Sequence, residues 1–436
     1  MQTIGLVKSE TVERRFDTEL CKNEIMLNYH TFVLDNGLRI IHRPSQSSVV
    51  YCGYQLNVGS RDEEPGEEGM AHFCEHATFK GTQRRRSWHI INSLESVGGD
   101  LNAFTNKEDT VYHVAILKEH VARAIDILTD IVFHSTYPQA ELTREKEVIC
   151  DEIESYNDSP ADLIYDDFEN TIFQGHPLGH NILGTTDTVR SFMTADTQHF
   201  TQKFYRPENA IFFIDGDVSF DKIVKLLSKA TADMSKNAPV MSVNHPHQWV
   251  NSNDPIVIVR KKDTHQAHVM MGNRAYDIYH RERIPLYLLN NILGGPGMNA
   301  RLNLSLREHH GLVYTVESSM VSYTDTGLWC LYFGCDPHDV PKCQRLVRKE
   351  LDRVIEQPLT DYQLKAAKKQ IKGQIGVACD NRESFALDFG KTFLHYGYEK
   401  DINWLYDQID AVTSQEIQQV AQDIMAADKL TTLIFQ

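Results

Sequence analysis

Residues 72–76 read HFCEH, two histidines four apart with a glutamate directly before the second. On a helix, a step of 100° per residue places His72, Glu75 and His76 on one face. Two imidazoles one turn apart can hold one zinc ion, and a carboxylate between them can reach a water beside it. Cys74 falls about 200° round from His72 by the same periodicity, so it packs inward and is not a ligand. The chain has 20 histidines, and the five residues alone also admit a plainer reading, one polar turn of a partly exposed helix. A third ligand from elsewhere would decide between the two.

The order H-x-x-E-H reverses the commoner metalloprotease motif. Through it the chain resembles the pitrilysin/insulinase family, which includes the mitochondrial processing peptidases. That resemblance implies a third ligand, a glutamate some seventy-odd residues beyond the second histidine on another helix. EKEVICDEIE supplies Glu152, 76 residues after His76. Leu142, Val148, Ile149 and Ile153 form the apolar stripe of a predicted helix around it. Glu145, two turns before Glu152 on the same face, matches a carboxylate that in the family orients a ligand from behind.

Three protein ligands leave the fourth zinc position to a water, the mark of a catalytic site. Its pKa falls towards about 7, Glu75 accepts its proton as general base, and attack on a peptide carbonyl follows. The resemblance supplies the substrate side. GGDLNAFTNKEDTVYHV (98–114) matches an edge strand onto which an extended peptide adds, with Asn102, Ala103 and Phe104 at substrate-contacting positions. Arg307 and Tyr314, in GGPGMNARLNLSLREHHGLVYTV, match an Arg–Tyr pair that reaches the substrate carbonyl from the non-metal half. Both are donors suited to a developing oxyanion. The histidine pairs His176/His180 (in GHPLGH), His245/His247 and His309/His310 fall in loops or turns and read as surface or capping residues.

The elements that must position these residues occur twice. LESVGGDLNAFTNKEDTVYHVAI from Leu94 parallels LREHHGLVYTVESSMVSYTDTGLWCLYF from Leu306, each a helix end running into two alternating strands. Amphipathic helices follow from Leu117 and Val340, then longer ones around Leu142 and Leu364. Each half closes with a helix and a strand. The expected fold is α+β in two similar domains, each a mainly antiparallel sheet packed with helices. Residues 1–238 carry the metal site and 239–436 form its counterpart, joined through a polar linker at 235–255. In that register Tyr287, Asn290 and Asn291 stand opposite His72, Glu75 and His76, and Gln374 opposite Glu152. None is a good zinc ligand, so one Zn2+ per chain is expected.

With 436 residues, two to three domains are expected. Acidic residues outnumber basic ones 60 to 44, for a formal charge of −16, which disfavours nucleic-acid partners. No run of about 18 apolar residues suggests a membrane span. The N-terminal stretch does not read as a secretory signal, and the eight scattered cysteines read as reduced thiols, so the expected location is the cytoplasm. For chains of this length the resemblance implies two copies closing as a clamshell around a chamber, here a homodimer acting on peptides or unfolded, presequence-like segments. A rival reading is a non-catalytic peptide-binding or scaffolding subunit of a peptidase assembly.

Overall fold

The computed structural model describes residues 29–235, 255–262 and 264–436. The expected boundary at 238/239, His245, His247 and Cys21 lie outside them. The first half builds a six-stranded sheet from β1 (His30–Val33), β2 (Arg39–Pro44), β3 (Val49–Leu56), β4 (Asp100–Thr105), β5 (Thr110–Leu117) and β6 (Ala210–Gly216). Its order is β1-β2-β6-β3-β5-β4. The second half builds a five-stranded sheet from β7 (Val257–Arg260), β8 (Ala267–Ala275), β9 (Val313–Ser322), β10 (Gly327–Cys335) and β11 (Thr431–Phe435), ordered β7-β11-β8-β10-β9. β2 pairs with β6, and β7 with β11, in parallel; every other neighbouring pair is antiparallel. The fold is α+β, and apart from β1 the two sheets share one topology.

Local sequence explains the central strands. AIFFI of β6 and GLWCLYFGC of β10 are continuous apolar runs, and both strands are buried along their whole length, as strands covered on both faces must be. β4 and β9 sit at the sheet edges and alternate more polar residues. Each edge strand is followed by a tight connection to its partner, β5 or β10.

The halves interlock by exchanging helices. Leu163, Ile164 and Phe168 of the helix Pro160–Ile172 pack with Met270, Leu328 and Phe435 of the second sheet. Reciprocally, Phe385 and Phe389 of the helix Arg382–Tyr396 pack with Ile41, Val111 and Phe213 of the first. Buried ion pairs join the same seam. Arg61 holds Asp325 through two bonds of 2.7 and 3.1 Å and also pairs with Glu108, which in turn accepts the Thr324 amide at 3.1 Å. Sequence periodicity marks each helix as amphipathic but does not say which sheet it covers.

Candidate functional site

HFCEH lies within the helix Met70–Thr78. It starts at Gly69 with φ 97°, a left-handed conformation that glycine adopts without steric cost. A side chain there would collide with the Leu183 carbonyl, since a Cβ would stand 2.7 Å from that oxygen. As the helical period requires, Cys74 is buried in the core of the first half while His72, Glu75 and His76 share the other face. The rings of His72 and His76 lie 4.6 Å apart between centroids.

The third residue arrives on the helix Gln139–Asn157, which begins directly after Pro138. Its buried face is Leu142, Glu145, Lys146, Ile149, Cys150 and Ile153. Val148, expected in the apolar stripe, is instead 51% exposed, because it lies one residue off that face. Glu152 Oε2 stands 3.9 Å from His72 Nε2 and 3.6 Å from His76 Nε2, and the three donor atoms fall within 4.8 Å of one another. Zinc bonds of about 2.0–2.1 Å in a tetrahedral arrangement place ligand atoms about 3.3 Å apart. The donor set and spacing therefore fit a zinc ion.

Neighbouring groups prepare each side chain for that role. Burial, reinforced by the adjacent His76 ring, lowers His72 to about 3, so its imidazole is neutral at neutral pH, the form that ligates metal. Its Nδ1 is buried without a hydrogen-bond partner among the described residues. His76 differs. Burial opposes its protonation, but its Nδ1 lies 3.0 Å from Glu145 Oε1 and that bond, with the Glu75 and Glu152 charges, raises its pKa. Glu145 is itself tied to the Lys80 ammonium at 2.6 Å. Burial raises the Glu75 carboxyl above its ordinary range, partly offset by the Thr105 hydroxyl, which donates to Glu75 Oε2 at 2.9 Å.

Thr105 is the last residue of β4, the edge strand that also carries Asn102, Ala103 and Phe104. Among the described residues β4 pairs with β5 along one side only, so its other edge is unpaired with any strand. Asn102 is exposed and donates to Asp100 Oδ1 at 2.9 Å, while Ala103 and Phe104 are half-buried. The fold thus brings His72, Glu75, His76, Glu145 and Glu152 together beside the strand bearing Asn102, Ala103 and Phe104.

Arg307 and Tyr314 do not join this cluster within the chain. The Arg307 guanidinium lies 5.8 Å from the centre of the Tyr314 ring, and Tyr314 is 81% exposed. Both line a cavity of about 1170 Å³ whose wall includes none of the five clustered residues. Tyr287, Asn290, Asn291 and Gln374 line it too. Asn290, opposite Glu75 in the repeat, accepts a hydrogen bond from Ser318 of β9 as Glu75 accepts one from Thr105 of β4. The second half reproduces the architecture of the site without its ligands.

Of the loop histidines, His176 is buried and accepts the Leu178 amide, His180 bonds to Glu63, and His310 bonds to the Ser305 carbonyl. His176 and His180 thus brace the loop that Pro177 and Gly179 predict, with His176 buried and not at the surface. Sequence reasoning missed Thr105, Lys80 and Glu63; Thr105 alone carried a signal, closing the strand already singled out.

The family description Insulinase (Peptidase family M16) matches residues 39–186, and Peptidase M16 inactive domain matches residues 192–371. The chain is 31% identical to the uncharacterized zinc protease YmxG of Bacillus subtilis, over 92% of this chain and 97% of that protein. It is 29% identical to the mitochondrial-processing peptidase subunit beta of Pongo abelii, over 94% of this chain and 85% of that one. A protease from Helicobacter pylori has a similar fold, with a TM-score of 0.87 at 21% identity over 94% of this chain and 99% of that one. The chain belongs to the insulinase family of peptidases, peptidase family M16.

Proposed function

We propose that this protein is a zinc-dependent endopeptidase with one Zn2+ per chain, held by His72, His76 and Glu152. The observation that carries this reading is the convergence of three donor atoms from two distant helices beside a buried carboxylate, Glu75. Zinc bound there would act as a Lewis acid, lowering the pKa of a water towards about 7. Glu75 is the general base, accepting the water proton and returning it to the leaving amine. Its raised pKa suits both halves of that exchange, and Thr105 fixes the direction of its carboxylate. Glu145 holds the His76 tautomer that leaves Nε2 free to ligate.

The open edge of β4 binds an extended peptide through its backbone, a mode tolerant of sequence. Arg307 and Tyr314, on the wall of a separate cavity, serve the oxyanion of a second copy in a homodimer that closes as a clamshell. The likeness to a mitochondrial-processing subunit supports unfolded, presequence-like substrates. The cysteines among the described residues are all unpaired, which fits the reducing cytoplasm. Among the described residues, no helix is long and apolar enough to cross a membrane.

The test is hydrolysis of a quenched peptide by purified protein, followed through removal of metal with a chelator and its replacement with zinc. Cleavage that is lost and then restored supports the proposal. Peptide binding without zinc-dependent cleavage would favour the non-catalytic scaffolding role.

A further inference from the structure

The metal helix lacks a local cap. No Ser, Thr, Asp or Asn stands at its start, and Gly69 offers no side chain to its first amides. Those amides are served from outside the helix. Glu63 Oε2 accepts the Gly69 N–H at 2.9 Å and Oε1 accepts the Ala71 N–H at 2.8 Å. The Glu63 side chain is 1% exposed, and it pairs with His180 Nε2 at 2.9 Å.

His180 is itself braced. Its carbonyl accepts the Lys107 ammonium, which also donates to the Leu178 carbonyl at 3.1 Å. Lys107 lies in the turn between β4 and β5, so one chain of bonds runs from the β4 hairpin through the 176–184 loop to the first turn of the metal helix. His72 is the third residue of that helix, and its distance to Glu152 depends on the direction of the first turn. A carboxylate at the helix start also offsets the positive end of the helix dipole, which would otherwise oppose a cation one turn away.

We infer that Glu63, held by His180, is a positioning residue for metal binding, aligning His72 with His76 and Glu152. This rests on the zinc reading above. The test is zinc affinity, measured by competition with a chelator on the metal-free protein, alongside its melting temperature. Glu63→Gln, which keeps an acceptor but loses the charge, should weaken zinc binding about tenfold, on the scale of other outer partners of metal ligands. His180→Ala should weaken it in the same direction. His180→Gln, which keeps a donor, should restore binding to within about threefold of wild type.

Wild-type zinc affinity in both Glu63→Gln and His180→Ala overturns the inference. So does a lower melting temperature with unchanged affinity, since that is what a merely structural brace would give. If Glu63→Gln does not fold, His180→Ala decides alone, because its side chain is partly exposed and Glu63 stays in place. A wild type that takes up no zinc would instead sink the metal-site reading itself.

Discussion

Replacing Glu145 with glutamine tests how the site prepares its histidines. Glu145 Oε1 receives His76 Nδ1 at 3.0 Å while Oε2 receives the Lys80 ammonium at 2.6 Å. A glutamine has one acceptor oxygen, and its amide nitrogen can only donate, so one of the two donors must lose its partner. His72 cannot compensate, because its Nδ1 has no partner among the described residues. Among the described residues Glu145 is therefore the one outer partner of the imidazole pair. Losing such a partner weakens metal binding about 10- to 100-fold, or about 1.4–2.8 kcal/mol. Lys80 already draws on the Glu145 charge, which places the expectation near the lower figure, about tenfold. The assay is chelator competition on metal-free protein, with peptide cleavage measured again at saturating zinc. Affinity should fall while most activity returns once zinc is in excess, since Glu75 and Thr105 are untouched. Unchanged affinity, or a loss that excess zinc does not repair, would mean that Glu145 does not support His76 as a ligand.

Thr105→Val removes the hydroxyl that donates to Glu75; kcat should fall about tenfold or more, matching about 1.5–3 kcal/mol for a bond to a charged group, with zinc content unchanged. Asp325→Ala strips Arg61 of its two-bond partner at the seam between the halves and should destabilise the fold by about 3 kcal/mol in urea titration. Asp109 is buried, yet against that burial the His395 ring and the Lys391 ammonium hold its carboxyl at about 2. A pKa depressed by folding adds stability above the ordinary value near 4 and loses it as pH falls towards 2. Wild type should therefore lose about 2 kcal/mol across that window, and Asp109→Asn should flatten the loss in acid unfolding curves. Mixing inactive Glu75→Gln with an inactive Arg307→Ala, Tyr314→Phe protein should restore part of the activity if a second copy supplies that pair; continued inactivity of the mixture would place both roles within one chain.

Much of this site was legible because helical periodicity is strict. Three polar residues on one face of HFCEH, with Cys74 turned away, need only the 100° step. The second half's YLLNN could be read as the same element without ligands because the strand and helix order repeats. Other features had no local signature. Val148 looked like core by residue type, but the helix turns it to solvent. The exchange of the helices Pro160–Ile172 and Arg382–Tyr396 between sheets is a matter of packing partners, and both partners are equally apolar in sequence. Glu63 sits in the acidic run RDEEPGEE, where residue type does not set it apart; its burial goes with the helix amides it serves and with its His180 partner. The separation of Arg307 and Tyr314 from the His72, His76 and Glu152 cluster is likewise a property of the assembled chain.

In the proposed reaction Glu75 moves the proton while His72, His76 and Glu152 hold the metal. Zinc content and cleavage of a quenched peptide, measured side by side for wild type and Glu75→Gln, test it most directly. One zinc per chain is expected in both proteins, with a rate lower by about 10²–10⁴ in the variant, the usual contribution of a general acid–base. Equal rates in two fully zinc-loaded proteins would contradict it.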